Sequence, residues 1–168
     1  MKYRPILFLD LDGVLNHETF FVENFETRKD ATTWHERYFC PKTVKIFNNI
    51  IDRVNGRIVF SSSHRFHFDT FAELQEGFKL AGITGELICV TPKLHYSNNS
   101  YSVPRGCEIK AWMEDNKDIL GDKISRVKYA ILDDDTDMLY WQRNHFFCTL
   151  GKDGLTQEIA DKIIKHLI

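Results

Sequence analysis

Apolar residues follow two rhythms along this chain. Short unbroken runs predict strands buried on both faces, as in a parallel sheet: Pro5-Ile6-Leu7-Phe8-Leu9, Arg57-Ile58-Val59-Phe60, Glu86-Leu87-Ile88-Cys89-Val90 and Tyr129-Ala130-Ile131-Leu132. Between and after them, apolar positions recur at helical spacing. Val44, Phe47, Ile50, Ile51 and Val54 form one such series, Ile109, Trp112 and Met113 a second, and Ile159, Ile163, Ile164 and Leu167 a third. Pro41 suits a first helical turn, and Asn55-Gly56 supplies the stop. A helix from about Asp69 to Leu80 precedes the third strand, and a short fifth strand falls around Phe146 to Leu150. Alternating strands and helices predict an α/β fold, a doubly wound three-layer parallel sheet.

Two stretches break the rhythm. From about His17 to Cys40 the pattern is irregular and rich in aromatics, namely Phe20, Phe21, Phe25, Trp34, Tyr38 and Phe39. Either a flap beside the first strand or a long loop packed onto the domain fits that composition. Thr91 to Pro104, with prolines at both ends and several Ser and Asn, reads as a loop. Nothing suggests a linker or a repeat, so residues 1–168 are expected to form one domain.

Composition narrows the class. With 43% hydrophobic residues the chain can fill a core, and a net charge of −2 offers no general attraction for nucleic acid. Any anion must therefore be drawn locally. Cys40, Cys89, Cys107 and Cys148 form no CxxC pair, which argues against a zinc site or a disulfide scaffold. Cys89 and Cys148 lie in apolar runs and are expected in the core. No signal-peptide pattern and no membrane-length apolar stretch is evident, so a cytoplasmic setting without membrane contact is expected.

The chemistry gathers where strands end. The first strand stops at Asp10 and Asp12, followed by Gly13, which lets the backbone turn and a ligand approach. The second ends in Ser61-Ser62-Ser63-His64-Arg65, and the fourth in Asp133-Asp134-Asp135-Thr136-Asp137. Open α/β sheets bind ligands at this rim. If the first and fourth strands are neighbours, their carboxylates need a counter-charge, and all-oxygen donors suit Mg²⁺. Cations lie close by in sequence. His64, Arg65 and His67 follow the second strand, and Lys93, His95 and Arg105 follow the third, with no acid in either loop. Such enrichment suits phosphate recognition, and Arg105, directly before a helix, is the best placed.

These residues carry a resemblance. Leu9-Asp10-Leu11-Asp12-Gly13-Val14-Leu15-Asn16, Val59-Phe60-Ser61-Ser62-Ser63-His64-Arg65, Arg105 before Glu108-Ile109, and Leu132-Asp133-Asp134-Asp135-Thr136-Asp137 occur in the order of the four motifs of the haloacid dehalogenase (HAD) superfamily. More narrowly, the chain resembles the HAD domains of Swiss Army Knife RNA-repair proteins and the phosphatase half of polynucleotide kinase–phosphatases. The resemblance implies a HAD-like, Rossmannoid sheet, and neither insertion here, 17–40 or 91–104, is large enough for more than a small flap in place of a cap domain. It implies Asp10 as nucleophile, Asp12 as general acid and base, Ser61 (or Ser62) as a donor to phosphoryl oxygens, and Arg105 as the neutralising cation. Gly13, Ser62 and Arg65 would contact substrate. Asp10, the backbone carbonyl of Asp12, Asp133 and either Asp134 or Asp137 would hold Mg²⁺.

The expected activity is hydrolysis of phosphate monoesters through an aspartyl-phosphate. Lacking a cap, the site would admit an RNA or DNA end, with Phe66, Tyr96, Tyr101 or Trp34 available to stack bases. A small-molecule or 5′-nucleotide phosphatase is the rival enzyme. A receiver-like phosphorylated switch is the rival of another class, and Asp12 argues against it because a nearby acid–base group promotes turnover.

Overall fold

The computed structural model describes residues 4–94, 103–120 and 127–168. Its sheet has five strands, β1 (Ile6–Leu9), β2 (Arg57–Phe60), β3 (Glu86–Val90), β4 (Tyr129–Asp133) and β5 (Phe146–Cys148), in the order β3-β2-β1-β4-β5. All pairings are parallel, with Leu9 opposite Phe60 on one side and Leu132 on the other. β1 is thus central, and the strand order reverses beside it. That is the switch point where an α/β sheet opens a crevice.

Both faces of β1 are covered, which is why its residues read as a continuous apolar run. Leu7 and Leu9, with Ile58, Phe60, Ala130 and Leu132, pack beneath α4 (Pro41–Val54), α5 (Phe71–Leu80) and α8 (Gln157–Leu167). Ile6 and Phe8, with Val59 and Ile131, meet Ile109 and Trp112 of α6 (Arg105–Asp115) and Leu120 of α7 (Lys117–Leu120). Phe8 and Trp112 make an edge-to-face pair with ring centroids 5.4 Å apart. The three layers are those expected. α4 runs from Pro41 in its first turn to Asn55, which adopts a left-handed conformation with φ 50°. α5 begins in a capping box between Thr70 and Glu73, a little inside its expected start.

Residues 17–40 are more ordered than their sequence suggests, forming α1 (Glu18–Glu23), α2 (Phe25–Arg28) and α3 (Trp34–Tyr38). The aromatics divide between two roles. Phe20 and Phe39 are buried, and Trp34 sits edge-on against Phe39 and Phe68, with centroids at 4.7 and 4.8 Å. Phe25, by contrast, is exposed. Trp34 is therefore committed to packing, not free to stack a base.

One core expectation is corrected. Cys148 is exposed and Cys89 only half-buried, whereas Cys40 is buried. β5 is a three-residue edge strand and β3 is the opposite edge, so neither cysteine has a strand on both sides.

Candidate active site at the carboxyl ends of β1 and β4

The β1–β4 pairing runs past Leu9, because the Asp10 N–H donates to Leu132 O at 3.0 Å. That continuation sets Asp10 beside Asp133, both buried. The chain then turns within Leu11–Asn16, where the Leu15 N–H reaches Leu11 O (2.9 Å) and the Asn16 side chain accepts from the Gly13 N–H (3.1 Å). Thr149, just past β5, ties the turn down by donating its hydroxyl to Gly13 O at 2.7 Å. Gly13 has φ +65°, and a Cβ there would run into the Asp134 carboxylate. Glycine serves twice at this position, for the turn and for the acid behind it.

Asp10, Asp133 and Asp134 each offer a carboxylate oxygen within 4.8 Å of the others. Burial pushes Asp133 up to about 8, aided by the Asp10 charge. Burial likewise lifts Asp10 to about 6, although the Ser62 hydroxyl and the Arg105 charge pull the other way. Asp134 is also raised by burial. Three converging acids that lack sufficient positive charge fit a hard divalent cation, and their all-oxygen donor set suits Mg²⁺. Asp137 is engaged elsewhere. Its carboxylate accepts the Arg105 backbone N–H at 2.7 Å, which docks the start of α6 against the loop after β4.

That docking brings Arg105 to the acids, with Nε 3.7 Å from Asp133 Oδ2. Glu108, one turn along α6 and buried, accepts from Arg105 Nη1 (3.0 Å) and from Arg65 Nη2 (2.7 Å). Its other oxygen takes the Leu94 N–H at 3.2 Å. Arg65 is itself buried and donates also to Ser62 O (2.6 Å) and Pro92 O (3.3 Å). Burial lowers its guanidinium to about 10, against the pull of Glu108. The loops after β2 and β3 and the start of α6 are thus joined through one carboxylate. Glu108 has no role in the sequence reading, although its spacing from Arg105 puts both on one helical face.

Both serines of the second loop are buried. The Ser61 N–H extends the ladder to Leu9 O (2.8 Å), and its hydroxyl lies 3.5 Å from that of Thr91. The Ser62 hydroxyl faces Asp10 and also accepts the His64 N–H at 3.3 Å. Of the pair left open by the sequence, Ser62 is the one whose hydroxyl lowers the Asp10 carboxyl.

The Asp12 carboxylate is not one of the three that converge and has partners of its own. Oδ1 accepts from Asn16 Nδ2 at 2.8 Å, and Oδ2 lies 3.0 Å from His64 Nε2. Those partners, His64 foremost, hold its carboxyl below the usual range despite burial. Its side chain is 52% exposed, whereas that of His64 is 7% exposed. His64 is a neighbour that sequence alone does not assign to Asp12. Beside Asp12, Gly13 and Asp134 lies a cavity of about 710 Å³ walled by Phe21, Val22 and Phe25. Phe66 is exposed, with Arg65 and Lys93 over its ring. His95, Tyr96 and Tyr101 lie outside the described residues. Among the described residues, no helix is long and apolar enough to cross a membrane.

Comparison with known proteins agrees with this arrangement. The model of one family, described as the HAD domain in Swiss Army Knife RNA repair proteins, matches residues 6–160. No curated protein and no solved structure matches. The match spans every strand and every residue of the acid cluster, Arg105 and Glu108 included. The chain belongs to this family of HAD domains and is a HAD-type phosphatase.

Proposed function

We propose that the protein is a Mg²⁺-dependent phosphomonoester hydrolase that acts through an aspartyl-phosphate on Asp10 and removes a terminal 3′-phosphate from a nucleic-acid end. The observation carrying this reading is the convergence of Asp10, Asp133 and Asp134 within 4.8 Å, with Arg105 Nε 3.7 Å from Asp133. Carboxylates for a hard cation thus stand beside a guanidinium for a phosphoryl group. Asp10, Asp133 and Asp134, with the backbone carbonyl of Asp12, would hold Mg²⁺, which when bound supplies positive charge to the transferring phosphoryl group.

The protein's own groups account for the remaining steps. An Asp10 oxygen attacks phosphorus as the bond to the leaving oxygen breaks, and protonated Asp12 delivers its proton to that oxygen. Asp12, now a carboxylate, takes a proton from water as that water attacks the aspartyl-phosphate. Inorganic phosphate departs, and Asp10 is restored. Arg105 and the Ser62 hydroxyl hold phosphoryl oxygens through both steps, and Arg65 acts through Glu108 to fix Arg105. The two hydrogen bonds on Asp12 suit its carboxylate form, the form needed for the second step.

Two features favour a bulky leaving group. Asp12, the proton donor to that group, is half-exposed, and the 710 Å³ cavity beside it has aromatic walls. Membership in an RNA-repair family supports a polynucleotide end over a sugar phosphate. The test is phosphate release from 3′- and 5′-phosphorylated oligonucleotides, mononucleotides and a sugar phosphate, with Mg²⁺ and with chelator. The 3′-phosphorylated oligonucleotide should turn over fastest, and only with metal. Faster hydrolysis of mononucleotides would replace the end-repair reading with a nucleotidase. A single phosphorylation without turnover would indicate a receiver-like switch.

A further inference from the structure

His64 stands between two partners from different parts of the chain. On one side the Trp34 indole N–H donates to Nδ1 at 3.0 Å, and on the other Nε2 lies 3.0 Å from Asp12 Oδ2. An indole nitrogen can only donate, so Nδ1 is an acceptor and carries no proton. In the neutral ring the proton is therefore on Nε2, where it is given to Asp12. The ring has little freedom to leave this arrangement. It is 6% exposed and stands edge-on to Tyr38 and His67, with centroids at 4.6 and 4.7 Å. Trp34 is fixed in turn by Phe39, Phe68, Phe60 and Phe78.

We propose that His64 is a positioning residue for Asp12, set in its Nε2–H tautomer by Trp34. The inference rests on the phosphatase reading, in which Asp12 serves the leaving oxygen and then water. Asp12 is half-exposed and follows a strand end, so a carboxylate there would sample several orientations without a fixed partner. Asn16 steadies one oxygen from within the same turn. His64 steadies the other, with its own orientation set from α3. Residues 17–40 thereby do more than flank the site, since Trp34 sets the hydrogen-bonding state of the group that aims the acid–base carboxylate.

The test separates leaving groups. Values of kcat/KM report steps up to departure of the leaving group, where proton delivery matters for an alkoxide and little for p-nitrophenolate. In the full chain with Mg²⁺, His64→Ala should lower kcat/KM for a 3′-phosphorylated oligonucleotide by roughly 30-fold or more, and that for p-nitrophenyl phosphate by about 3-fold or less. His64→Gln, whose amide N–H can reach Asp12, should recover most of the loss. Trp34→Phe keeps the ring packing without the N–H and should fall between wild type and His64→Ala. Equal losses on both esters, or a Gln variant no better than Ala, would overturn the proposal. Nitrogen NMR of labelled histidine reads the tautomer independently of activity. It should show Nε2–H in the wild type and a tautomer mixture in Trp34→Phe, and Nδ1–H in the wild type would overturn the assignment. Wild-type protein that hydrolyses neither ester would instead overturn the phosphatase reading, and the positioning role with it, whatever the tautomer.

Discussion

Asp10 and Asp12 are two residues apart and their environments push them in opposite directions. Burial raises Asp10, while hydrogen bonds from His64 and Asn16 lower Asp12. Bound Mg²⁺ would reverse the first shift, and the second favours the carboxylate form in which Asp12 takes a proton from water. Replacing Asp10 by Asn removes the attacking oxygen, so phosphate release should fall below detection. Asp12→Asn should cost about 10²- to 10⁴-fold, the usual range for an acid–base group, measured as kcat on an oligonucleotide phosphate. Gly13→Ala offers a test of the turn. Its left-handed φ of +65° and the clash with the Asp134 carboxylate would both oppose a side chain. A Mg²⁺ titration of activity should show weaker metal binding, and an unchanged half-saturation point would contradict the role given to Asp134. Asp10 and Asp133 are legible because each ends an apolar run, and Asp12, Gly13 and Asp134 because they follow within the same turn. The choice between Ser61 and Ser62 is not, since one residue of uncertainty in a strand end reverses which side chain faces the rim.

Among the elements, α6 is held at its start and by one charge. Asp137 caps it, and Glu108 gathers Arg105, Arg65 and the Leu94 N–H. Removing that carboxylate would leave a buried guanidinium without its counter-charge. Glu108→Gln should therefore destabilise the fold by about 3–5 kcal/mol, read from urea unfolding, and should weaken activity by loosening Arg105. A loss within about 0.5 kcal/mol, the scale of an ordinary surface change, would show that Glu108 is not the hub described. Elements differ in how visibly they announce themselves. α4 is fourteen residues long and has room for a full apolar period, a proline start and an Asn-Gly stop. α1, α2 and α3 have six, four and five residues, too few to establish a period, and so appear in the sequence as irregular chain. The meeting of Trp34 with His64 across thirty positions leaves no local mark at all.

Across the whole molecule, the parallel sheet concentrates negative charge at one rim. A carboxyl raised in the folded state contributes stability below its unfolded value of 3.8, and that contribution is lost as pH rises through the folded value. For Asp10 and Asp133 those folded values are about 6 and about 8. Metal-free protein should thus lose this contribution between about pH 4 and 8, whereas Mg²⁺ binds the deprotonated acids. The increase in Tm on adding Mg²⁺ should grow as pH rises from 5 to 8, measured by thermal unfolding with and without chelator. An increase independent of pH would mean that these acids do not bind the ion. The layers and the carboxyl-end rim follow from buried runs alternating with amphipathic helices, whereas the neighbouring of β1 and β4 enters the sequence reading only as a condition. The edge position of Cys148 does not follow, because an apolar run gives no sign of whether a strand is central or last.

The proposed catalysis depends above all on a covalent bond between Asp10 and phosphorus. Mass spectrometry of the protein, acid-quenched during turnover of a 3′-phosphorylated oligonucleotide with Mg²⁺, should find a phosphoryl group on the peptide containing Asp10. That group should be labile to hydroxylamine, and absent from Asp10→Asn and from chelator-treated samples. Undiminished phosphate release by Asp10→Asn, with no phosphorylated peptide in the wild type, would contradict it.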